Sequence, residues 1–407
     1  MKVVHICTTL EGGAGLCASR IMKATKKLGV DTYTLLQSGK TDSNTDIIYV
    51  NMPWSKNWLI KKIQVILKIF QLWPFPVKIS HKVQKERQKY TNSFFSSPIT
   101  LYNKIAEHPW VKDADIIHLQ WVGGFLDYDS FFKNVNKPIV WTIHDENPGL
   151  GGFHYSSWKA AAPDSFKKLD DDFMEIKRKA YKSAKSMTLV AISTMMADYF
   201  KNNELLKDFP VKIIHNGIDG DAFTPINKGI AREALAIEKD ELVFLFAANY
   251  IHEDRKGLKE LIEALEKMNL SNTTLICLGK YNNIPKASFK IRCEGFVSNS
   301  RLQSLYYSAA DYFVMPSFQE AFAQTPMEAM ACGTPVIAFP CSGAKDLINY
   351  ENGVVCEDFT VDALKDGITT ALKHNYNSDE IRQDLLNRFS YDIIAKQYIE
   401  LYKSLIQ

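Results

Sequence analysis

Two carboxylates eight positions apart, Glu320 and Glu328, lie in the segment whose residue types most clearly suggest chemistry, PSFQEAFAQTPMEAMACG at 316–333. The pattern predicts the end of a buried strand, a loop carrying Glu320, and a short helix. Thr325 at the N-cap, Pro326 at the first helical position and Glu328 would form a capping box. Because anions bind at helix N-termini beside the carboxyl ends of parallel strands, the two carboxylates could hold sugar hydroxyls next to a phosphate.

A cation pair, Arg255-Lys256, precedes Gly257 and follows a predicted strand. Cations at the carboxyl edge of a strand suit a diphosphate. The alternative is a solvated surface pair. The capping box alone would account for Glu328, whereas nothing in a loop requires the carboxylate of Glu320.

His144 and Asp145 directly follow another predicted strand, at 138–143. His144 could therefore contact a sugar hydroxyl or a developing charge, or it could be a structural histidine. His154 and Tyr155 are weaker candidates of the same kind. His118 lies within a predicted strand, and we expect it in the core.

The first strand is followed by Gly13-Ala14-Gly15, which fits the spacing GxGxxA. A dinucleotide site also needs an acidic residue after the second strand, and Gln37 stands there instead. The glycines could still let backbone N–H groups approach an anion, or they could form only a tight turn. The acidic runs Asp113–Asp115 and Asp170–Asp172 are interpreted as a turn and a helix start, so we expect no metal site.

Strands alternate with helical patterns along most of the chain, which predicts α/β architecture with two doubly wound parallel sheets. Strands are predicted at 2–10, 30–36, 115–120, 138–143, 187–192, 211–214, 242–247, 273–278, 291–293, 312–315, 334–339 and 353–356. Periodicity is lost between 223 and 238. We expect a first domain at 1–217, a second at 218–389, and a C-terminal helix at 390–407 that has no strand after it.

The composition, with 46% hydrophobic residues, 23% charged residues and a net charge of +3, is that of a globular protein and does not favour nucleic-acid binding. Seven cysteines without a CxxC pair support neither a zinc site nor a disulfide framework. The first residues predict a strand rather than a signal peptide, and no apolar run of 18 residues is present, so we expect a cytoplasmic protein. Between Trp54 and Tyr90, nine Lys or Arg against one Glu alternate with aromatic and aliphatic residues. That stretch suits a helix on the inner membrane face, or an amphipathic helix packed on its own domain.

On these residues the chain resembles the retaining glycosyltransferases of family 4, which have the GT-B fold of two facing Rossmann-like domains. The segment from Glu320 to Glu328 is its most specific part. The other supporting segments are the loop at 12–15, His144-Asp145, Asn216–Asp219, Arg255–Gly257 and Ala309–Ser317. The run from His144 through Tyr155 is similar to transferases that build bacterial capsule, O-antigen or exopolysaccharide.

The resemblance implies a UDP- or GDP-sugar donor held mainly by the second domain, without a metal ion or other cofactor. Glu328 would hold the ribose hydroxyls and Glu320 the transferred sugar, while Arg255 and Lys256 neutralise the diphosphate. Further donor contacts would come from Gly13, Ala14, Gly15, Gly295, Phe296, Val297, Ala323, Gln324 and Thr325. His144, Glu320, Lys256 and Arg255 would carry catalysis.

The acceptor would be a glycan, or a polyprenyl-diphosphate-linked glycan, held by His144, Asp145, His154 and Tyr155. In this fold the last helix crosses back to the first domain. Two positions depart from the family pattern: Asn249-Tyr250 replaces a Gly-Arg pair, and Ala323 replaces a frequent glycine. These departures keep two alternatives open, an epimerase or hydrolase on the same fold and a non-catalytic nucleotide-sugar-binding protein.

Overall fold

The computed structural model describes residues 1–37, 46–50 and 95–406. Packing divides the chain into two compact units. The first comprises Met1–Ile192, Met196–Ile214 and Ala395–Gln407, and the second comprises Ser193–Met195 and His215–Ile394.

The basic and aromatic segment Trp54–Tyr90 lies outside the described residues. Within the part of the chain that is described, no helix combines the length and the apolar character needed to cross a bilayer.

The first unit is built on a seven-stranded parallel sheet. Its strands are β1 (Lys2–Cys7), β2 (Asp31–Leu36), β3 (Ile47–Tyr49), β4 (Ile116–Leu119), β5 (Ile139–Ile143), β6 (Met187–Ala191) and β7 (Val211–Ile213). They lie in the order β3-β2-β1-β4-β5-β6-β7. Every residue of β4, β5 and β6 is buried, as is typical of parallel strands covered on both faces. The strand order reverses between β1 and β4, and the carboxyl ends of the strands beside such a reversal form a crevice for ligands.

The second unit is built on a six-stranded parallel sheet. Its strands are β8 (Leu242–Tyr250), β9 (Thr273–Lys280), β10 (Lys290–Gly295), β11 (Tyr312–Met315), β12 (Val336–Ala338) and β13 (Gly353–Val355). They lie in the order β10-β9-β8-β11-β12-β13, so the reversal falls between β8 and β11. One hydrophobic cluster, which includes Phe244, Leu261, Val314, Ile337 and Ile368, joins this sheet to its helices.

Helices connect the strands of both sheets. They are α1 (Gly12–Lys27), α2 (Pro109–Asp113), α3 (Tyr128–Asn134), α4 (Ser156–Ala161), α5 (Asp164–Lys182), α6 (Thr194–Asn202), α7 (Lys228–Ala234), α8 (Leu258–Met268), α9 (Ser300–Ala309), α10 (Gln324–Ala331), α11 (Ala344–Leu347), α12 (Val361–Leu372), α13 (Ser378–Phe389) and α14 (Tyr391–Ile406).

All twelve predicted strands are present, and the fold prediction of two doubly wound α/β domains is confirmed. Strand β3, of three residues, was not predicted. No helix was predicted between 223 and 238, where the periodicity is lost, but α7 forms there. Its N-cap is Asn227, whose side-chain oxygen accepts hydrogen bonds from Gly229 N at 3.0 Å and Ile230 N at 3.2 Å.

The last helix, α14, returns to the first unit as predicted, since its residues from Ala395 onward pack there. Tyr398 and Tyr402 are fully buried. The Tyr398 hydroxyl lies 2.8 Å from Thr142 Oγ1, and the Tyr402 hydroxyl lies 2.6 Å from His118 Nδ1.

Candidate functional site

The carboxyl ends of β8 and β11 bring together two of the predicted site residues, Lys256 and Glu320. Lys256 lies in the 3₁₀ turn after β8, and Glu320 lies in the loop after β11. Their side chains form an ion pair and are only 17% and 13% exposed. Because these two strands flank the reversal of the sheet, the pair lies where α/β domains bind ligands.

Gly257 allows this close approach. Its φ of +73° places it in the left-handed region, and a Cβ there would lie 1.9 Å from the carbonyl oxygen of Pro316. Phe318 N also donates to the carbonyl of Arg255 at 2.9 Å, so the two loops are tied through their backbones. Only glycine fits at position 257 without moving the Glu320 loop away from Lys256.

Arg255 is the more exposed cation of the site. Its guanidinium contacts Glu253 at 2.8 Å and Glu320 at 3.7 Å, and it donates to the carbonyl of Gln319 at 3.3 Å. Burial raises the pKa of the Glu320 carboxyl, but Lys256 and then Arg255 outweigh that effect, so its pKa lies below the ordinary value. Glu320 is therefore a carboxylate at neutral pH.

Glu328 lies inside α10 and is 7% exposed. It accepts a hydrogen bond from the hydroxyl of Tyr307, at 2.9 Å. The predicted capping box is wrong: Ala323 is the N-cap, the helix begins at Gln324, and Ala323 has no side chain that could cap. Pro326 fits as the third helical residue because the first N–H groups of a helix have no partners within it.

The loop before α10 is held by side chains from other parts of the second unit. Asn216 Nδ2 donates to the carbonyl of Phe322 at 3.4 Å, and Ser342 Oγ donates to the carbonyl of Ala321 at 3.0 Å. Ala323 has φ −73° and ψ 139°, which any residue can adopt. The replacement of a frequent glycine by Ala323 therefore introduces no backbone strain.

The predicted base-binding segment Gly295–Val297 begins at the last residue of β10, at the carboxyl edge of the sheet. The Phe296 side chain is 57% exposed, and the Lys280 ammonium lies 5.6 Å from its ring centre and 5.3 Å from that of Tyr250. Sequence reasoning missed Lys280 as a site residue. It adds a cation to the edge where the family pattern would have an arginine at position 250.

In the first unit, Gly13, Ala14 and Gly15 lie in the first turn of α1, after the extended N-cap Glu11. A Cβ at Gly15 would lie 2.5 Å from the carbonyl carbon of Leu10, so glycine is needed for this close turn. The first N–H groups of a sixteen-residue helix point out of its N-terminus, which suits an anion.

His144 and Gln120 follow the neighbouring strands β5 and β4, and they are in contact. His144 Nε2 lies 3.1 Å from Gln120 Oε1. Burial lowers the pKa of His144 to about 4, although Asp145 opposes that effect. The imidazole is therefore neutral at pH 7. Sequence reasoning missed Gln120, whose only signal was its position directly after a buried strand.

Asp145 and His154 pair with each other, with Asp145 Oδ2 2.6 Å from His154 Nδ1. Asp145 also accepts from Trp121 Nε1 at 2.9 Å and from Asn147 N at 3.0 Å, and His154 Nε2 lies 2.8 Å from Ser96 Oγ. Both residues are buried. This geometry suits support of the 144–155 loop. The ring of Tyr155, at the end of that loop, packs edge-on against Trp158 with the ring centres 4.9 Å apart.

Two charged residues of α5, Asp170 and Lys177, form hydrogen bonds with backbone groups of the same loop. Asp170 Oδ1 accepts from Gly152 N at 2.6 Å and Phe153 N at 3.1 Å, and Lys177 donates to the carbonyls of Asn147 at 2.5 Å and Leu150 at 2.8 Å. The interpretation of Asp170 as the start of a helix was wrong, because α5 begins at Asp164. Burial lowers the pKa of Lys177 to about 7, against the opposing effects of Asp170 and Asp145. Within the described ranges, no three His, Cys, Asp or Glu side chains are grouped as in a metal site.

Comparison with known proteins shows that this chain is similar to glycosyltransferases. Residues 227–388 match the family model of the glycosyl transferases group 1. The chain is 27% identical over 316 residues to an uncharacterised glycosyltransferase of Methanocaldococcus jannaschii, which covers 72% of this chain and 76% of that protein. It is 26% identical over 226 residues to the N,N'-diacetylbacillosaminyl-diphospho-undecaprenol alpha-1,3-N-acetylgalactosaminyltransferase of Campylobacter jejuni, covering 51% of this chain and 58% of that enzyme.

Solved structures agree over the whole chain. The sucrose-phosphate synthase of Thermosynechococcus elongatus has a TM-score of 0.67 at 19% identity and covers 100% of this chain and 99% of its own. Anabaena HepE in complex with UDP-glucose has a TM-score of 0.63 at 17% identity, with both chains fully covered. Residues 227–388, which include Lys256, Glu320 and Glu328, are therefore similar to the glycosyl transferases group 1, and the chain has the GT-B fold.

Proposed function

We propose that this protein is a retaining, metal-independent glycosyltransferase that uses a UDP- or GDP-sugar. It transfers the sugar to a glycan or to a polyprenyl-diphosphate-linked glycan in the biosynthesis of surface polysaccharide. The observation that carries the proposal is the Lys256–Glu320 ion pair beside the strand reversal of a domain that is similar to the glycosyl transferases group 1. Support for the two substrate classes comes from HepE, which was solved with UDP-glucose, and from the Campylobacter enzyme, whose name includes diphospho-undecaprenol.

The donor would lie along the carboxyl edge of the second sheet. Lys256 and Arg255 would neutralise the diphosphate, with the N–H groups of Gln324 and Thr325 at the start of α10 assisting. Glu328 would bind the ribose hydroxyls while Tyr307 holds its carboxylate. The exposed ring of Phe296 would pack against the base.

The proposed reaction is a displacement with retention. The bond between the sugar C1 and the diphosphate oxygen breaks, and the bond from C1 to the acceptor oxygen forms on the same face. The hydroxyl proton of the acceptor moves to the departing phosphate oxygen. Negative charge grows on the diphosphate as its bond breaks, so the cation at Lys256 would contribute most in the transition state. Glu320, a carboxylate beside Lys256, would hold a hydroxyl of the transferred sugar.

The acceptor would bind to the first unit near His144. Because Asp145 and His154 are buried and paired, they would act by holding the loop that carries His144 and Tyr155. A polyprenyl-linked acceptor would place the protein at the inner face of the cytoplasmic membrane.

A donor screen tests the proposal most economically. The purified full-length chain is heated with a panel of UDP- and GDP-sugars, and the nucleotide sugars that raise its melting temperature are then tested with lipid-linked and free glycan acceptors. The proposal predicts a product whose new bond has the anomeric configuration of the donor. An inverted product would exclude retention, and activity that is lost on metal chelation and restored by a metal would exclude metal independence.

The rival enzyme classes predict different products from the same samples. An epimerase or hydrolase would release an isomerised or free sugar without any acceptor. A non-catalytic protein would bind a donor and turn over none of the acceptors. The Asn249-Tyr250 replacement keeps this second alternative open, because it removes a cation from the family pattern.

A further inference from the structure

A chain of buried polar side chains leads from the C-terminal helix to His144, entirely within the first unit. The Tyr402 hydroxyl lies 2.6 Å from His118 Nδ1, and Thr142 Oγ1 lies 2.8 Å from His118 Nε2. Gln120 Nε2 lies over the His118 ring, 3.0 Å from Nε2 and 3.5 Å from Nδ1. Gln120 Oε1 then lies 3.1 Å from His144 Nε2. His118 is fully buried and Gln120 is 1% exposed, so water does not compete for these contacts.

In the structure the two ends of the Gln120 amide face different neighbours. The NH₂ group can only donate, and it lies over the His118 ring and 3.4 Å from His5 Nδ1. The amide oxygen can only accept, and it faces His144. A neutral imidazole carries one proton, so the nitrogen of His144 that contacts this oxygen must be the protonated one.

The other ring nitrogen of His144, Nδ1, then carries a lone pair. Among the residues that the structure describes, it has no hydrogen-bond partner. His144 is partly exposed at the carboxyl end of β5, so the residue is accessible to a ligand.

We propose that Gln120 is a positioning residue that fixes His144 as the Nε2–H tautomer and thereby presents Nδ1 as a hydrogen-bond acceptor to a hydroxyl of a sugar substrate. The inference deepens the proposed function, and it rests on that function only for the identity of the hydroxyl. The tautomer itself is inferred from the contact between the Gln120 amide oxygen and His144 Nε2.

The charged and titratable groups around His144 agree with this assignment. His118 and His5 come from β4 and β1, Asp145 follows His144 on its own loop, and Tyr402 comes from α14. Burial lowers the pKa of His5 to about 3 and that of His118 well below its ordinary value, so both are neutral and neither supplies a charge at pH 7. Asp145 favours the imidazolium form of His144, but burial prevails.

Nitrogen NMR of the full-length chain with ¹⁵N-labelled histidine rings measures the tautomer directly. The His144 signals are assigned by their loss in His144→Asn. At pH 7 the parent should show Nε2 protonated and Nδ1 unprotonated. Gln120→Glu should keep that tautomer and raise the His144 titration midpoint by one pH unit or more, because a carboxylate stabilises the imidazolium.

Gln120→Leu should give a mixture of both tautomers, because the oxygen that selects one of them is gone. Gln383→Glu, an exposed substitution in the second unit, should leave every His144 signal in place. A parent protonated on Nδ1, or an unchanged tautomer and midpoint in both Gln120 variants, would overturn the inference. These spectra need no substrate, so they decide it even if the chain transfers no sugar.

A kinetic readout separates positioning from mere structural support. If His144 contacts a hydroxyl of the substrate, Gln120→Glu should shift the acid limb of the pH profile of kcat/KM to higher pH. The shift should equal that of the His144 titration midpoint measured by NMR. A profile that stays in place while the midpoint moves would contradict the contact between His144 and the substrate.

Discussion

The substitution Lys256→Met tests the catalytic assignment most sharply, because it removes one charge and keeps the length of the side chain. The Lys256 ammonium pairs with Glu320, and both groups are largely buried. In the proposed reaction it faces the charge that grows on the departing diphosphate. Loss of one such preorganised donor costs roughly 3 kcal/mol of activation energy, which corresponds to about a hundredfold loss in kcat.

The same substitution also affects folding, since among the cations of the described residues Glu320 would keep Arg255, at 3.7 Å, as its partner. A buried carboxylate that has lost its main partner costs roughly 1–3 kcal/mol of stability. The double variant Lys256→Met with Glu320→Gln removes the unpaired charge, so it should regain most of the unfolding free energy while the rate stays low. This difference separates a catalytic role from a structural one.

The assay follows the release of nucleoside diphosphate with the donor that the thermal screen identifies, alongside the melting temperature of each variant. Lys259→Met is the matched control, since Lys259 is an exposed lysine in the first turn of α8. It should keep the parent rate. Transfer by Lys256→Met at the parent rate would refute the assignment, and so would a double variant that regains rate together with stability.

Three further predictions concern the packing and the charges of the second unit. Gly257→Ala should lower the free energy of unfolding by roughly 3 kcal/mol or more, because its Cβ would meet the Pro316 carbonyl. Gly295→Ala, at a similar φ but with open space around the new Cβ, should lower it by only about 1 kcal/mol. Chemical denaturation measures both changes. Glu328→Gln should raise KM for the donor more than it lowers kcat, and an unchanged KM would exclude the ribose contact. Burial raises the pKa of Asp346, but contacts with His215 and Thr194 prevail and bring it to about 2. Because the pKa of Asp346 is lower in the folded state, its ionised carboxylate stabilises the fold above pH 4. The free energy of unfolding should fall by about 2 kcal/mol as the pH drops toward 2. That fall should be absent in Asp346→Asn.

Much of the second unit could be predicted because most of its strands are short apolar runs followed by clear turns; β10, with the sequence KIRCEG, is an exception. The order of these elements alone places Lys256 and Glu320 at the same edge of a parallel sheet. Their contact depends on Gly257, whose conformation and proximity to Pro316 could not be read from its spacing.

The N-terminus of α10 shows where local rules fail. Thr325, Pro326 and Glu328 fit a capping box, yet the helix begins one residue before them, at Gln324. The preceding loop is held by Asn216 and Ser342, from distant parts of the chain, and a local motif contains no information on such contacts.

The contacts that support the loop at 144–155 of the first unit could not be predicted from the sequence either. Asp170 and Lys177 read as ordinary charged residues of an amphipathic helix, but both are buried and bind backbone groups of residues 147–153. Gln120 contacts His144 because β4 and β5 are neighbours in the sheet, and the sequence does not show that pairing. Such contacts join residues that no local pattern connects.

A crystal structure of the full-length chain soaked with UDP or GDP would test the central claim most directly. The proposal predicts the diphosphate against Lys256 and the first N–H groups of α10, with the ribose on Glu328. Nucleotide density away from residues 255–256 and 320–328 would contradict it.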